Sequence, residues 1–478
     1  MGAYPPARSA RTISRLFLLA ACLLAAAPVR GQPSLLNFAH LDHLTERKTV
    51  RGVEVSVVHV YANYPTYDWV GAAESGQEGV ACVDDAARAA VLCLRAFELR
   101  KDRDCLERAR GYLRFVLQMQ APNGEFYNFI FGDGTINRVG KTSAKSFGWW
   151  AARGVWAMST GARILGPADP ALADTLKRAV RRSLPHVRQL LARYRHFARL
   201  GNYRAPRWLL YDSGADATSE LLLGLLEFYR VNPDTSLACV ILRLSEGLTA
   251  MQDGNAYTYP YGLHRSWETM WHMWGNSQTD ALASAGMLLK SPGLTRSAEL
   301  EARSFYPRLL AEGFIKEMDV ARTGSSLRFE QIAYAVRPMA AGLARLFETT
   351  GKREYAVMAG LAASWFTGNN AAGALMYDST TGRGLDGIRD SGTVNLNSGA
   401  ESTVEALLTL LEVEKFPEAR GYLRYRRITG TSTPSEVWAL FRDPGLHELV
   451  LRLDAQAAVL QILEGDEAAR FVRGRQPR

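Results

Sequence analysis

The sequence predicts an all-α fold, an (α/α)6 toroid of six helical hairpins with a small C-terminal appendage. Three observations predict it. Apolar residues recur at intervals of three and four in a series of long segments, as they do in helices that bury one face. Six segments start with a polar tip followed by small residues, and they recur about every 55–70 residues, a spacing typical of repeat architectures. Small residues are concentrated in the first helix of each pair and charged residues in the second, as expected for inner and outer helices.

The helices follow one another in pairs after a short lead at 35–44 and a strand-like piece at 53–61. The six tips read CVDDAARAA, AKSFGWWAARG, SGADATSELLLG, GNSQTDALASAG, RFEQIAYAVRP and NSGAESTVEALL. The predicted pairs are 84–100 with 105–119, 146–165 with 171–194, 215–229 with 235–251, 279–289 with 297–315, and 331–348 with 354–365. The sixth inner helix begins at Ala400. Long links rich in Gly, Asn and aromatic residues join the pairs, and loops of this length are usually functional.

The two ends of the chain differ from this pattern. Arg8, Arg11 and Arg15 precede an apolar run at 16–27 that ends in small residues, which predicts a secretory signal peptide over 1–31 and a secreted or periplasmic protein. Cys22 lies in a lipobox-like context, so a lipoprotein is a second possibility. The barrel is predicted over 32–413. Residues 414–478 form a C-terminal extension with strand-like pieces and a disordered tail of eight residues.

Charge and composition limit the kinds of binding partner and cofactor that the sequence predicts. The net charge of +9 falls to +5 once the four arginines of the predicted signal are removed, and there is no block of Lys and Arg. Nucleic acid is therefore not a predicted partner. No stretch beyond the signal suggests a membrane span. No Cys/His cluster or calcium loop suggests a metal, and no cofactor is predicted. The oligomeric state is left open.

The predicted catalytic residues are carboxylates at the helix tips. Glu401 lies in the first turn of an apolar helix, and Asp84 and Asp85 begin the first inner helix. A carboxylate at a helix start can simply stabilise the helix dipole or cap it. However, the toroid brings these tips together at one mouth, although they are far apart in the sequence. Paired carboxylates are what glycoside hydrolysis needs, one as acid and one as base or nucleophile.

Aromatic and polar residues of the tips and links are candidates for binding a sugar. Aromatic faces pack against the apolar faces of sugar rings, and polar side chains bond the hydroxyls. The alternative for each aromatic residue is core packing, and for His272 it is a structural hydrogen bond. The predicted substrate-binding residues are Tyr127, Trp149, Asp216, Tyr259, Trp271, His272, Gln278, Asp386 and Asn397.

The tip pattern resembles the six-hairpin glycosidase superfamily, which includes glycoside hydrolases, unsaturated-uronyl hydrolases, polysaccharide lyases and sugar epimerases. More narrowly, CVDDAARA, NNAAGALMYDSTTGRGLDGI and NLNSGAEST resemble helical domains appended to some bacterial glycosyltransferases. Those domains carry TDD-ARAL and GAEST motifs, and here Val83 replaces the Thr. The resemblance implies a sugar ligand, but it assigns no role to any residue, because this fold supports several reactions.

Three functions agree with these observations. The first is a glycoside hydrolase with Glu401 as acid and Asp84 or Asp85 as base, inverting the anomeric configuration. The second is a lyase or epimerase acting on a uronate-containing glycan, with Lys145, Arg204 and His272 as candidate residues. The third is a non-catalytic glycan-binding protein of the cell envelope.

Overall fold

The computed structural model describes residues 34–71, 78–454 and 456–475. The chain divides into two units, Met1–Ser34 and Leu35–Arg478, and the fold below is that of the second. The predicted signal peptide and Cys22 lie outside the described residues, so cleavage and lipidation stay predictions. Among the helices described, none is both long enough and apolar enough to cross a membrane.

Six inner helices form a closed ring. Each packs against the next one along the chain, and inner helix 6 packs against inner helix 1. Each begins within four residues of its predicted start. Inner helices 1 to 6 are Val83–Arg100, Trp149–Ile164, Ala215–Val231, Gln278–Leu288, Ala333–Thr350 and Ala400–Glu414.

Small residues let these inner helices approach one another. A Cβ built on Gly224 of inner helix 3 would lie 2.8 Å from the backbone nitrogen and Cα of Trp156 in inner helix 2. That distance is shorter than van der Waals contact, so only glycine fits at this crossing. The predicted crowding of Ala, Gly and Ser in the inner helices therefore has a packing cause.

Outer helices cover the ring for five of the six inner helices. They are Arg103–Met119, Pro170–Leu190, Thr235–Thr249, Pro292–Ser304 with its continuation Tyr306–Glu312, and Arg353–Ala363. Inner helix 6 is followed instead by the short helix Pro417–Arg420 and a 3-10 turn at Gly421–Arg424. An N-terminal helix, Ala39–Leu44, packs against inner helix 6. The sixth predicted hairpin is thus completed by the other end of the chain.

Short strands rigidify the N-terminal lead and the links. The antiparallel pair Thr45–Val50 and Val53–Val58 packs on the first outer helix. The remaining pairs are Ala62–Asn63 with Asp68–Trp69, Ala81–Cys82 with Phe129–Ile130, Phe197–Leu200 with Tyr203–Pro206, Met270–His272 with Glu317–Asp319, and Tyr377–Asp378 with Arg383–Gly384. Gln331–Ile332, Gly387–Ile388 and Val394–Asn395 form a three-stranded sheet.

The C-terminal extension is a four-stranded antiparallel sheet. Its strands are Arg426–Ser432, Glu436–Arg442, Glu448–Asp454 and Val459–Glu464, in sequential order, and the helix Gly465–Arg473 follows. The all-α description is therefore not confirmed for the whole chain, because alternating apolar residues such as Val437, Ala439 and Phe441 bury one face of this sheet. The last helix extends into the eight residues that were expected to be disordered, and 476–478 lie outside the description.

Candidate active site

The tips of inner helices 1 and 6 place the predicted catalytic carboxylates side by side. Asp84 and Asp85 lie in the first turn of inner helix 1, whose N-cap residue Cys82 accepts a hydrogen bond from the backbone N–H of Asp85. Glu401 lies in the first turn of inner helix 6. These two helices are neighbours where the ring closes. The prediction that the tips converge is realised for this pair.

Arg88, one turn into inner helix 1, links these carboxylates. Its guanidinium is 1% exposed. Nη2 lies 2.6 Å from Asp85 Oδ1, 3.2 Å from Glu401 Oε2 and 3.7 Å from Asp84 Oδ2. Nη1 lies 2.8 Å from Glu405 Oε1. The Asp85 and Glu401 oxygens share one nitrogen, so they are at most about 5.8 Å apart, the sum of the two distances.

Two further arginines extend this network across the ring. Arg153 lies 2.5 Å from Asp84 Oδ2, and Arg337 bonds both Glu405 and Glu220 at 2.8 and 2.7 Å. The ring of Tyr334 lies among the three guanidinium groups, 4.6 Å from Arg153 at the closest. Its buried hydroxyl has no hydrogen-bond partner among the described residues. We call this set of arginines, carboxylates and Tyr334 the central network.

The central network holds more acids than bases. Five carboxylates face three guanidinium groups, so full ionisation would leave two negative charges uncompensated. Loss of water around Glu401 raises its pKa to about 7; Arg88 opposes this shift and the charge of Asp85 adds to it. Burial also raises the pKa of Asp85, again against the effect of Arg88. Glu401 can therefore hold a proton near neutral pH, as a general acid must.

The two neighbouring aspartates have different surroundings. Asp85 is 3% exposed, and its oxygens are bonded by Arg88 and by the Cys82 thiol. Asp84 has a side chain that is 27% exposed, and its Oδ1 has no hydrogen-bond partner among the described residues. This Oδ1 atom is itself buried, so a water molecule or a substrate hydroxyl must enter the protein to bond it. Asp85 is placed to hold Arg88.

A cavity of about 470 Å³ opens beside Asp84. Its wall combines aromatic faces with a few polar groups, as ligand sites do. Trp149 lies in this wall as predicted, with the Arg153 guanidinium 5.4 Å from its ring. Glu401 lies beside the cavity, joined to Asp84 through Arg88, and its side chain is 43% exposed. The cavity is lined by Asp84, Trp149, Arg153, Tyr211, Gly214, Asp216, Trp267, Trp274 and Tyr334.

An aspartate–histidine pair lies at the far side of this cavity. His272 Nε2 is 2.9 Å from Asp216 Oδ2, and its ring stacks on Trp274 with centroids 3.9 Å apart. The buried Nδ1 of His272 has no hydrogen-bond partner among the residues described. Burial raises the pKa of Asp216, and the hydrogen bond from His272 opposes this. Asp216 lines the cavity together with Asp84, whereas His272 is not part of the lining and contacts it through Asp216 and Trp274.

Besides His272, six predicted substrate-binding residues do not line the cavity. Tyr127 accepts a hydrogen bond from Arg138, and Trp271 is buried against Phe305 in the core. Tyr259 packs edge-on against Tyr261, and Gln278 bonds Asn276. Asn397 accepts from the backbone N–H of Tyr64. Asp386 caps inner helix 6 by accepting from Gly399 N at 3.0 Å and Ser402 Oγ at 2.7 Å. For these residues the contacts seen are structural ones.

Two of the candidates for binding a uronate-containing glycan, Lys145 and Arg204, lie outside the cavity lining. Lys145 pairs with Glu125, and Arg204 lies over the ring of Phe197, so neither lines the cavity as a clamp for a substrate carboxylate. Within the described part of the chain, no cluster of three His, Cys, Asp or Glu side chains could hold a metal ion.

The arginines of the central network were not predicted as site residues, although the sequence carries a signal for two of them. Arg88 follows Asp84 and Asp85 by four and three residues, and Glu405 follows Glu401 by four, so each pair shares a helix face. Arg153 stands four residues after Trp149 in the same way. Arg337 and Tyr334 carry no comparable local signal, because their partners lie on other helices.

The comparisons with known proteins agree with the fold. Neither a protein-family model nor a curated protein matches this chain. It is similar to the solved structure of a cellobiose 2-epimerase from Bacillus thermoamylovorans, with a TM-score of 0.57 and 12% identity over 80% of this chain and 96% of that chain. It is also similar to a sugar epimerase from a ruminal bacterium, with a TM-score of 0.56 and 13% identity over 79% of this chain and 95% of that chain. For a D-mannose isomerase the TM-score is 0.50 and the identity 11%, over 75% of this chain and 92% of that chain.

Similarity at such low identity concerns the fold alone. The predicted resemblance to the six-hairpin glycosidase superfamily is confirmed at that level, since these neighbours share the (α/α)6 barrel. The narrower resemblance to domains appended to glycosyltransferases stays a prediction.

Proposed function

We propose that this protein is a glycoside hydrolase acting on an oligo- or polysaccharide. The observation that carries the proposal is the pairing of a protonatable Glu401 with Asp84, which is ion-paired with Arg153, beside an aromatic-lined cavity. The neighbours with the same fold carry the names of sugar epimerases and isomerases, which supports a sugar as the ligand. Export of the protein is part of the proposal and depends on the predicted signal at 1–31.

The roles follow from the surroundings of each group. Glu401 donates its proton to the glycosidic oxygen as the bond to the anomeric carbon breaks. Asp84, which pairs with Arg153, accepts a proton from the water that attacks that carbon on the opposite face. Asp85 is a positioning residue, because it fixes Arg88 between the two reacting carboxylates. We propose inversion, for which the carboxyl groups are typically about 6.5–9.5 Å apart.

A glycan screen with Glu401→Gln tests this proposal. We expect the wild type to release reducing sugar from one glycan and the variant to lose about 10²–10⁴-fold in kcat while remaining folded. Glu98→Gln is a matched control: Glu98 also pairs with an arginine and its side chain is 47% exposed, against 43% for Glu401, but it lies at the other end of inner helix 1. Retained activity in Glu401→Gln excludes the role of Glu401. Proton NMR of the first anomer released tests inversion.

A sugar epimerase or isomerase is the second candidate. It is favoured by the Asp216–His272 pair, which places an imidazole that can exchange a proton beside the cavity. In that case the sugar product keeps its length and gains deuterium at carbon from heavy water, and His272→Ala removes the activity. Binding of a glycan without any change to it would instead indicate a glycan-binding protein.

A further inference from the structure

Tyr211 separates the site cavity from a second, larger cavity. This second cavity has a volume of about 770 Å³ and lies where the second outer helix ends, and Tyr211 lines both cavities. Both volumes fall in the usual range for small-molecule sites, about 300–1,000 Å³. The two cavities therefore meet at the Tyr211 side chain.

The Tyr211 ring is exposed and yet firmly held. The residue is 58% exposed, but its hydroxyl accepts a hydrogen bond from the backbone N–H of Trp149 at 2.9 Å. Its backbone lies in the left-handed region, with φ of 54°, and Asp212 follows with φ of 66°. Asp212 in turn pairs with Arg193 and, at 2.7 Å, with Arg207. A large aromatic face fixed in this way, open to solvent, suits stacking against a sugar ring.

The second cavity has its own aromatic pair. Phe147 and His186 stack with their ring centroids 5.1 Å apart, and both are half-buried. His186 Nε2 contacts the backbone carbonyl of Asn123 at 2.8 Å. The cavity therefore repeats the combination of aromatic face and polar rim that the first cavity has.

The charged side chains of the second cavity are paired. Arg193 and Arg207 both pair with Asp212, and Glu125 pairs with Lys145. No lining residue offers an unpaired guanidinium for a substrate carboxylate. In the first cavity the central network has an excess of carboxylates, which repels acidic sugars.

We infer that the substrate is a neutral oligosaccharide chain that runs from the central network over Tyr211 into the second cavity. This inference rests on the proposed function and names its substrate class. The chain spans at least three sugar residues, one at the carboxylates, one on Tyr211 and one against Phe147.

Calorimetric titration of the Glu401→Gln variant tests the inference without turnover. The probes are β-1,4-linked gluco-, manno- and xylo-oligosaccharides of two to six units, with oligogalacturonides of the same lengths as the acidic set. We expect one neutral series to bind, with an affinity that rises at least tenfold from the dimer to the tetramer. No affinity gain with length, no binding by any neutral series, or tighter binding of the acidic series overturns the inference.

Variants locate the binding along the two cavities. Tyr211→Ala and Phe147→Ala are each expected to weaken tetramer binding about 3- to 10-fold, as the loss of one aromatic contact does, whereas Tyr211→Phe keeps the ring. Tyr257→Ala is the matched control, because Tyr257 is 59% exposed and lines neither cavity; it leaves affinity unchanged. Equal losses in Tyr257→Ala and Tyr211→Ala would overturn the assignment.

The two proposals fail in different ways. Length-dependent binding with no cleavage by the wild type supports binding along the two cavities and refutes the hydrolase. Cleavage with equal kcat/KM for dimers and tetramers supports the hydrolase and refutes binding along the two cavities.

Discussion

Glu401 combines partial exposure with a pKa close to neutral. Its side chain is 43% exposed, yet the surrounding protein favours its protonated form. Loss of water around the carboxyl group is the main cause of the raised pKa, and the charge of Asp85 adds to it while Arg88 opposes it. A residue placed only to stabilise a helix start would have no need of such surroundings.

The first prediction concerns the pH dependence of the reaction. Since Glu401 must be protonated to act as acid and its pKa is about 7, kcat/KM should fall about tenfold per pH unit above that value. Steady-state rates at low substrate between pH 5 and 9 check this. A rate that stays flat to pH 9 would mean that another group is the acid.

The raised pKa of Glu401 also makes the stability of the folded protein depend on pH. Between the ordinary value of 4.5 and about 7 the folded protein binds more protons at Glu401 than the unfolded chain does. The free energy of unfolding therefore declines as pH rises through this window. We expect Glu401→Gln to be more stable, relative to the wild type, at pH 8 than at pH 4, as measured by urea unfolding. An equal difference at both pH values would contradict the raised pKa.

Sequence reasoning identified the candidate carboxylates that the structure brings together, but not their arginine partners. Asp84, Asp85 and Glu401 stand at helix tips, which are local features that a sequence displays. Asp386 was expected at the substrate and is instead a cap, because the residue it caps lies 13 positions away across a link. Contacts between helices distant in the chain, such as Arg337 with Glu220, depend on the tertiary structure.

At the level of elements, inner helix 6 depends on a cap from outside. Its N-cap residue, Gly399, has no side chain, and Asp386 accepts the hydrogen bonds instead. Asp386→Ala is expected to lower the free energy of unfolding by about 1–2 kcal/mol, as loss of an N-cap does. Asp386→Asn keeps the accepting oxygen and serves as control. If both variants keep full stability in denaturant unfolding, the capping role is wrong.

The crossing of inner helices 2 and 3 gives a second prediction at this level. Gly224→Ala places a methyl group against the backbone of Trp156 and should cost about 1–3 kcal/mol, as overpacking does. Gly421→Ala is the control, because its Cβ would meet no atom within 4 Å and its φ is −56°. Thermal unfolding measures the stability of each variant relative to the wild type. Equal stability would show that the ring tolerates a wider crossing.

Considering the whole molecule, the C-terminal sheet is part of the barrel's core. Val437, Ala439, Phe441, Leu449, Leu451 and Leu453 belong to the same buried cluster as the helices. Arg308 also donates to the backbone carbonyl of Thr433 at 2.6 Å. We expect a chain that stops at Tyr425 to lose solubility, because it exposes this apolar surface. Size-exclusion chromatography measures this, and a monodisperse truncated chain would show that the barrel is independent.

The architecture was predictable where it repeats and less so where it does not. Six similar tips indicated the ring, and periodicity located the helices. The C-terminal sheet was predicted only as strand-like pieces. It occurs once in the chain, so no internal repeat supports its pattern. The missing sixth outer helix escaped prediction for the same reason.

The seam between inner helices 6 and 1 joins the two ends of the polypeptide. Arg88 bonds Glu405 at 2.8 Å, Arg95 bonds Glu412 at 2.7 Å, and Arg100 bonds Glu414, so the seam is closed along its length by residues more than 300 positions apart. During translation Asp84 is synthesised long before Glu401. The proposed catalytic pair therefore comes together only after nearly all of the chain has been made, and we expect a prematurely terminated product to lack it.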